Sequence, residues 1–185
     1  MLWDLGLRKI IVKVVYFGCA MSGKTTSLRY IFKKLGRENA LQSIETREGR
    51  TLFFDWGSIF VQKGQWNFQI DIWSATGQDF YAETRPTVLS GADGIVFVAD
   101  SQKHLIKENL ASWNELSLLM GNYIKDIPVI ISLNKRDSSN AISVTEFKNM
   151  LGLKNSTNLF ETIATVGTNV LEAFKGLIQQ IFNNS

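Results

Sequence analysis

The chain has one cysteine, no block of lysine or arginine and no apolar run near the length of a membrane span, which is about 18 residues. One cysteine excludes a disulfide within the chain. Charged residues follow the brief apolar start at once, which excludes a secretory signal. The net charge is only +3, and without a basic block the sequence gives no support for binding nucleic acid.

The two ends lack the signals for lipid attachment. The chain begins Met-Leu-Trp rather than Met-Gly and ends Asn-Asn-Ser without a cysteine, so we expect no lipid anchor and a cytoplasmic protein. Residues 1–8 form an N-terminal extension of unclear role that carries four apolar side chains, Leu2, Trp3, Leu5 and Leu7. Two interpretations stay open: a flap packed on the domain, or an amphipathic segment that makes weak peripheral contact with a membrane or binds a partner.

What is present is ordinary globular composition, with 45% hydrophobic and 20% charged residues. A length of 185 residues predicts one domain over residues 1–185. Apolar runs of strand length alternate with helical periodicity, which predicts an α/β fold with about six strands in a mostly parallel sheet and helices on both faces. The stretches 52–61 and 66–73, separated by a short turn, predict one antiparallel hairpin at the edge of that sheet.

The stretch Gly18-Cys-Ala-Met-Ser-Gly-Lys-Thr25 matches the phosphate-binding pattern G-x-x-x-x-G-K-[ST]. It lies between a predicted strand, 10–17, and a predicted helix, 26–35, which is the setting that the pattern requires. The glycines allow a tight turn whose N–H groups face the phosphates. We expect Lys24 to reach the β- and γ-phosphates and the Thr25 hydroxyl to bind Mg²⁺. The expected nucleotide contacts in this segment are Gly18, Ala20, Met21, Ser22, Gly23, Lys24, Thr25 and Thr26.

A second motif, Asn134-Lys-Arg-Asp137, follows a buried strand that ends at Leu133. The Asp137 carboxylate can accept hydrogen bonds from N1–H and the exocyclic amine of guanine. Adenine lacks that pair of donors, so the motif predicts GTP or GDP as the ligand rather than ATP. We expect Lys135 to lie over the base and Asn134 to tie the two loops together. The alternative function of an ATP-dependent kinase is disfavoured, because ATP binding gives the Asp137 carboxylate no role.

The order of these motifs resembles that of a Ras-type small GTPase with a three-layer P-loop G domain. The segments Arg50-Thr-Leu-Phe-Phe-Asp55, Gly77-Gln-Asp-Phe-Tyr81 and Gly94-Ile-Val-Phe-Val-Ala-Asp-Ser101 narrow the resemblance to the prokaryotic mutual-gliding (MglA) branch. The resemblance covers nearly the whole chain. It implies a molecular switch of cell polarity or motility that hydrolyses GTP, and hydrolyses it slowly without an activating partner. It also implies effectors and an activating dimer of the roadblock fold, similar to MglB.

The resemblance also implies roles for individual residues. Thr51 would bind Mg²⁺ and sense the γ-phosphate in a first switch, and Gly77 would offer its N–H to that phosphate. Gln78 would orient the attacking water, and Arg50 would act as an arginine finger within the chain. The backbone N–H of Ala164 would face guanine O6. Thr165, the next residue, is the last of the expected nucleotide contacts.

Two positions depart from the family pattern. Ser74 stands where an aspartate usually holds Mg²⁺ through a water. Asp71 is a poor substitute, because three residues along a strand span roughly 10 Å and reverse the face; Asp55 is a better candidate. Thr165 stands where a lysine commonly packs against the base. Ser74 keeps an alternative open, a GTP-loaded scaffold that hydrolyses almost no nucleotide.

Overall fold

We describe the fold from a computed structural model of the chain, which describes residues 1–45, 51–77, 79–154 and 156–183. One sheet of eight strands forms the middle of the molecule. The strands are β1 Leu2–Asp4, β2 Lys9–Phe17, β3 Gln42–Glu45, β4 Thr51–Lys63, β5 Trp66–Ala75, β6 Gly94–Asp100, β7 Val129–Asn134 and β8 Leu159–Glu161. The helices are α1 Lys24–Lys34, α2 Arg85–Leu89, α3 Ile106–Met120, α4 Val144–Met150 and α5 Val170–Asn183.

The strand order is β3-β4-β5-β2-β6-β7-β8, with β1 paired to β2 off this path. Across the sheet, the pairs β5–β2, β2–β6, β6–β7 and β7–β8 are all parallel. Strands β4 and β5 form the predicted antiparallel hairpin. The predicted α/β class is therefore confirmed. Two short strands add to the six expected, and both pair in the antiparallel sense.

Both additional strands, β1 and β3, lie in segments whose apolar residues do not recur with the period of a strand or a helix. The predicted loop 36–51 contains β3, whose residues pair with β4 up to the contact of Glu45 with Thr51. The extension 1–8 contains β1, which pairs with the first residues of β2. Both strands pair their backbone groups with a neighbouring strand, and the side chains of β1 are exposed.

Strand β2 shows why the core has two halves. Its side chains alternate, so Val12 and Val14 pack under α1 and α5, whereas Val15 and Phe17 pack on the opposite face. That opposite face is covered by α2, α3 and α4, which contribute residues such as Leu116 and Phe147. Because β2, β6 and β7 are parallel, the loops that leave them gather at the carboxyl ends of the strands.

Candidate functional site

The phosphate-loop motif connects β2 to α1, as predicted. Gly18 has a φ of +147° and Gly23 a φ of +105°, in the region that favours glycine. A Cβ on Gly18 would lie 2.1 Å from the carbonyl oxygen of Val98, so no other residue fits there without a shift of the backbone. The two glycines thus let the loop turn tightly against the end of β6.

Lys24 is buried inside this loop. Its Nζ donates to the carbonyl oxygens of Gly18 and Cys19 at 2.8 and 2.7 Å. The pKa of Lys24 is lowered to about 8, chiefly by burial; Cys19 and Asp55 act to raise this pKa, and Arg85 acts to lower it. A phosphate group close to Lys24 would favour its charged form, so the position is suited to binding an anion.

Cys19 has a structural place in the loop rather than a reactive one. Its thiol is buried and donates to Oδ1 of Asn109 at 3.4 Å. Burial also raises the pKa of the Cys19 thiol, which disfavours the thiolate that redox chemistry needs. This contact joins the phosphate loop to α3.

Asn134 joins the phosphate loop to the predicted base-binding loop. Its Nδ2 donates to the carbonyl oxygen of Ser22 at 2.8 Å, and its Oδ1 accepts the backbone N–H of Ala164 at 2.9 Å. The hydroxyl of Thr162 also donates to this oxygen at 3.2 Å. The predicted tie between the loops is therefore present. The N–H expected for guanine O6 has Asn134 as its partner, so contact with a base would require this N–H to be shared or exchanged.

The residues predicted to contact guanine surround one open cavity of about 420 Å³. Lys135 has a φ of +63°, and its Nζ forms an ion pair of 2.6 Å with the buried carboxylate of Asp100. Asp137 is exposed at the rim of the cavity. The cavity is lined by Met21, Gly23, Thr26, Gln102, Asn134, Lys135, Asp137, Ser138, Ile163, Ala164 and Thr165.

The structure places a carboxylate beside the predicted metal-binding hydroxyl. Thr25 Oγ1 donates to Asp55 Oδ2 at 2.6 Å, and Asp55 is fully buried. Asp55 pairs across the β4–β5 hairpin with Ser74, the position where the resemblance leads us to expect an aspartate. Asp71 instead accepts hydrogen bonds from the side chains of Ser58 and Gln69. Of the two carboxylates considered from the sequence, Asp55 therefore lies at the candidate metal site.

Gly77 lies directly against the phosphate loop. A Cβ at this position would be 2.3 Å from the backbone nitrogen of Ala20, so only glycine fits. The preceding residue, Thr76, accepts a hydrogen bond at its carbonyl oxygen from Nε of the buried Arg85 at 2.9 Å. Arg85 also pairs with Glu115 on α3. These contacts hold in place the turn whose Gly77 N–H is expected to bind the γ-phosphate.

Three predicted residues cannot be compared with this geometry. Arg50 and Gln78 lie outside the described residues, and Thr51 is described only through the backbone pairing that opens β4. Conversely, the sequence reasoning missed Arg85 and Asn109. Asn109 lies three residues after Ile106 on the apolar side of α3, and a polar residue at a core position is a detectable signal of a buried hydrogen-bond network.

Comparisons with known proteins match nearly the whole length of the chain. The family model described as the ADP-ribosylation factor (Arf) family matches residues 1–181. The mutual gliding-motility protein MglA of Myxococcus xanthus (strain DK1622) is 34% identical over 180 residues, which cover 94% of this chain and 92% of that protein. The Ras-related protein RABG3f of Arabidopsis thaliana is 29% identical, over 91% of this chain and 81% of its own.

The chain belongs to the Arf and Ras-like family of small GTPases. The resemblance predicted from its motifs is thereby confirmed, and with it a GTP-binding switch that hydrolyses GTP. The family also implies regulators and effectors that bind according to the nucleotide. None of the helices in the described part of the chain has the length and hydropathy of a membrane-spanning segment.

The cavity generates a prediction about base selection. Replacing Asp137 by alanine removes the acceptor for two guanine donors, so we expect affinity for GDP to fall by about 100-fold or more, the size of two hydrogen bonds to a charged group. Calorimetry with GDP and ADP would measure this, with affinity for ADP unchanged. Asp126→Ala, at another exposed aspartate, is the matched control. Equal GDP affinity in both variants would contradict the assignment.

Proposed function

We propose that this protein is a GTP-controlled switch in cell polarity or motility, acting in the cytoplasm, where GTP is available. The observation that carries the proposal is the meeting of three elements at one edge of the sheet. Lys24 lies in the phosphate loop, Asn134 ties that loop to the base cavity, and Gly77 packs on the same loop. The cellular role is supported by likeness to a relative named for mutual gliding motility.

We propose that Mg²⁺ is held by the hydroxyls of Thr25 and Thr51, with Asp55 replacing the missing second-switch aspartate. The donor set fits the ion, because Mg²⁺ prefers oxygen ligands and keeps several waters. The carboxylate of Asp55 is buried and already meets Thr25 Oγ1. Bound Mg²⁺ supplies positive charge to the phosphate oxygens. Asp55 can accept hydrogen bonds from metal-bound water and so hold the ion's shell in place.

This metal assignment can be tested by moving the carboxylate across the hairpin. Asp55→Asn keeps the shape but removes the charge, so GDP release in the presence of Mg²⁺ should accelerate about 10- to 100-fold, as for the loss of one charged hydrogen bond. Ser74→Asp added to Asp55→Asn should slow release again, because residues 55 and 74 are cross-strand partners. Release of a fluorescent GDP analogue would be followed.

Two controls define the outcome. Asp71→Asn, on the neighbouring strand, should leave release unchanged because Asp71 is bonded to Ser58 and Gln69. With a chelator in excess, Asp55→Asn and the parent protein should release GDP at the same rate. An unchanged rate for Asp55→Asn in Mg²⁺ would remove Asp55 from the metal site.

For hydrolysis we propose that Gln78 orients the attacking water and that Arg50 stabilises charge in the transition state. The support is placement in the chain: Gln78 follows Gly77, which packs on Ala20 of the phosphate loop, and Arg50 precedes the first residue of β4. Both residues therefore adjoin elements that reach the phosphate end of the site. A scaffold that hydrolyses almost no GTP would need neither.

Single-turnover hydrolysis separates the switch from the scaffold. Gln78→Ala and Arg50→Ala should each slow hydrolysis by about 100-fold, the usual effect of losing one preorganised donor, while GTP affinity changes little. Arg47→Ala, three residues before Arg50 in the sequence, is the matched control. Rates equal to that of the parent protein in both variants would favour the scaffold.

We propose further that an activating roadblock-fold dimer, similar to MglB, binds an aromatic face beside the first switch. This aromatic face consists of Phe54, Trp56 and Trp73. The ring of Trp73 lies 5.1 Å from that of Phe54 and 6.0 Å from that of Trp56. Phe54 is 38% exposed, and aromatic side chains of this kind are enriched at protein interfaces.

A charge on the aromatic face should prevent this association. We expect Phe54→Asp to weaken binding of a roadblock-fold protein from the same organism at least about tenfold, because a hot-spot aromatic contributes 2 kcal/mol or more. Pull-down with GTP-analogue and GDP forms would measure it. Phe60→Asp is the matched control, since Phe60 is 58% exposed on the same strand but far from the switch. Equal losses in both variants would exclude the aromatic face.

A further inference from the structure

A second groove leads away from the base cavity along one face of α1. It has a volume of about 560 Å³ and shares three lining residues with the base cavity, Thr26, Ala164 and Thr165. We call it the α1 groove. Because the two cavities meet at these shared residues, a ligand seated in the base cavity has direct access to the α1 groove.

The wall that α1 contributes to this groove is basic. Arg29, Lys33 and Lys34 line it, and all three are exposed. Thr26, Arg29 and Lys33 recur at steps of three and four residues, so they lie on one face of the helix. The lining residues that the structure describes include one carboxylate, that of Glu38. The α1 groove therefore carries a positive net charge and is suited to binding an anion.

The floor of the groove is held in place by contacts within the domain. A Cβ at Gly167 would lie 1.7 Å from Cζ of Tyr30, so the Tyr30 ring packs directly on the backbone of this glycine. The N–H of Gly167 donates to the carbonyl oxygen of Ile163 at 2.7 Å. Nζ of Lys34 lies 5.6 Å from the centroid of the Tyr30 ring. Because these walls are already ordered, binding in the groove costs little conformational entropy.

The groove begins where the ribose of a bound guanine nucleotide must lie. Lys24 and Thr25 are at the phosphate end of the site, and Asp137 is at the base end. Thr26 directly follows Thr25 and lines the base cavity, so the ribose, which joins the base to the phosphates, lies beside it. Arg29 is about one helical turn further along α1. The 2′- and 3′-hydroxyls are the free positions of that ribose.

We propose that the α1 groove binds a phosphate or diphosphate group carried on the ribose 2′- or 3′-hydroxyl of a guanine nucleotide. The Arg29 guanidinium and the Lys33 ammonium group would donate charge-assisted hydrogen bonds to the phosphate oxygens. The inference rests on the placement of guanine in the base cavity and goes beyond the switch proposed above. It assigns to this chain a second class of nucleotide besides GTP and GDP.

Such a nucleotide would hold the switch in its inactive form. With a diphosphate on the 5′ side, it offers no γ-phosphate to the N–H of Gly77. It occupies the same phosphate loop and base cavity as GTP, so the two exclude each other. A ligand that binds one state of the protein more tightly shifts the population toward that state. The α1 groove would supply the affinity that lets this nucleotide displace GDP and GTP.

Calorimetry with the nucleotide-free full chain in Mg²⁺ tests this proposal. The probes are GDP, guanosine 3′,5′-bis(diphosphate) and GDP that carries a 2′-phosphate. We expect one of the two ribose-phosphorylated probes to bind at least about tenfold more tightly than GDP, the size of one charge-assisted hydrogen bond. Arg29→Gln combined with Lys33→Gln should remove this preference and leave GDP affinity nearly unchanged. Added salt should reduce the preference of the parent protein, because the cations are exposed.

The matched control removes two positive charges away from the groove. Lys107→Gln combined with Lys125→Gln replaces exposed lysines on α3 and just before β7, and it should keep the parent preference. Binding of GDP by the parent protein without any preference for either ribose-phosphorylated probe would overturn the proposal while leaving the GTP switch intact. Equal loss of preference in the control would also overturn it. So would an equal fall in affinity for GDP and the preferred probe in the Arg29/Lys33 variant.

Discussion

The amide of Asn134 holds together the two halves of the site. Its nitrogen donates to the phosphate loop at Ser22, and its oxygen accepts from Ala164 in the base-binding segment. A nucleotide has a fixed length between its base and its phosphates, so a site binds it well only when both halves are already at that separation. Gly23 is part of the same constraint, because a Cβ there would lie 2.2 Å from Nδ2 of Asn134.

Under the proposed metal site, Asp55 would let the sheet keep a carboxylate while changing the residue that supplies it. Directly opposed residues of an antiparallel pair have neighbouring side chains on one face. A carboxylate at position 55 of β4 can therefore serve the region that an aspartate at position 74 of β5 would serve. The buried Ser74 hydroxyl has no hydrogen-bond partner among the described residues, which fits a position that has lost its charged role.

The parts of this site that could be predicted from the sequence are those that the chain encodes locally. The phosphate loop and Asn134-Lys135 carry their geometry within a few residues between a strand and a helix, so their patterns sufficed. Asp55 could be nominated from the sequence, but its contact with Thr25 could not be predicted, because residues 25 and 55 meet only through the pairing of β4 with β5 and the packing of α1 over it. Strand β3 was missed for a similar reason, since its backbone pairing leaves no hydrophobic period to detect.

Strand β4 connects the metal site to the partner surface. Side chains alternate along a strand, so Asp55 points toward Thr25 while Phe54 and Trp56 point to the other face, against Trp73. The strand begins at Thr51, the proposed sensor of the γ-phosphate. A partner can respond to the nucleotide only if its contacts differ between the two states. Any shift of β4 that follows the metal and the γ-phosphate would move the aromatic face as well, because the same backbone carries both.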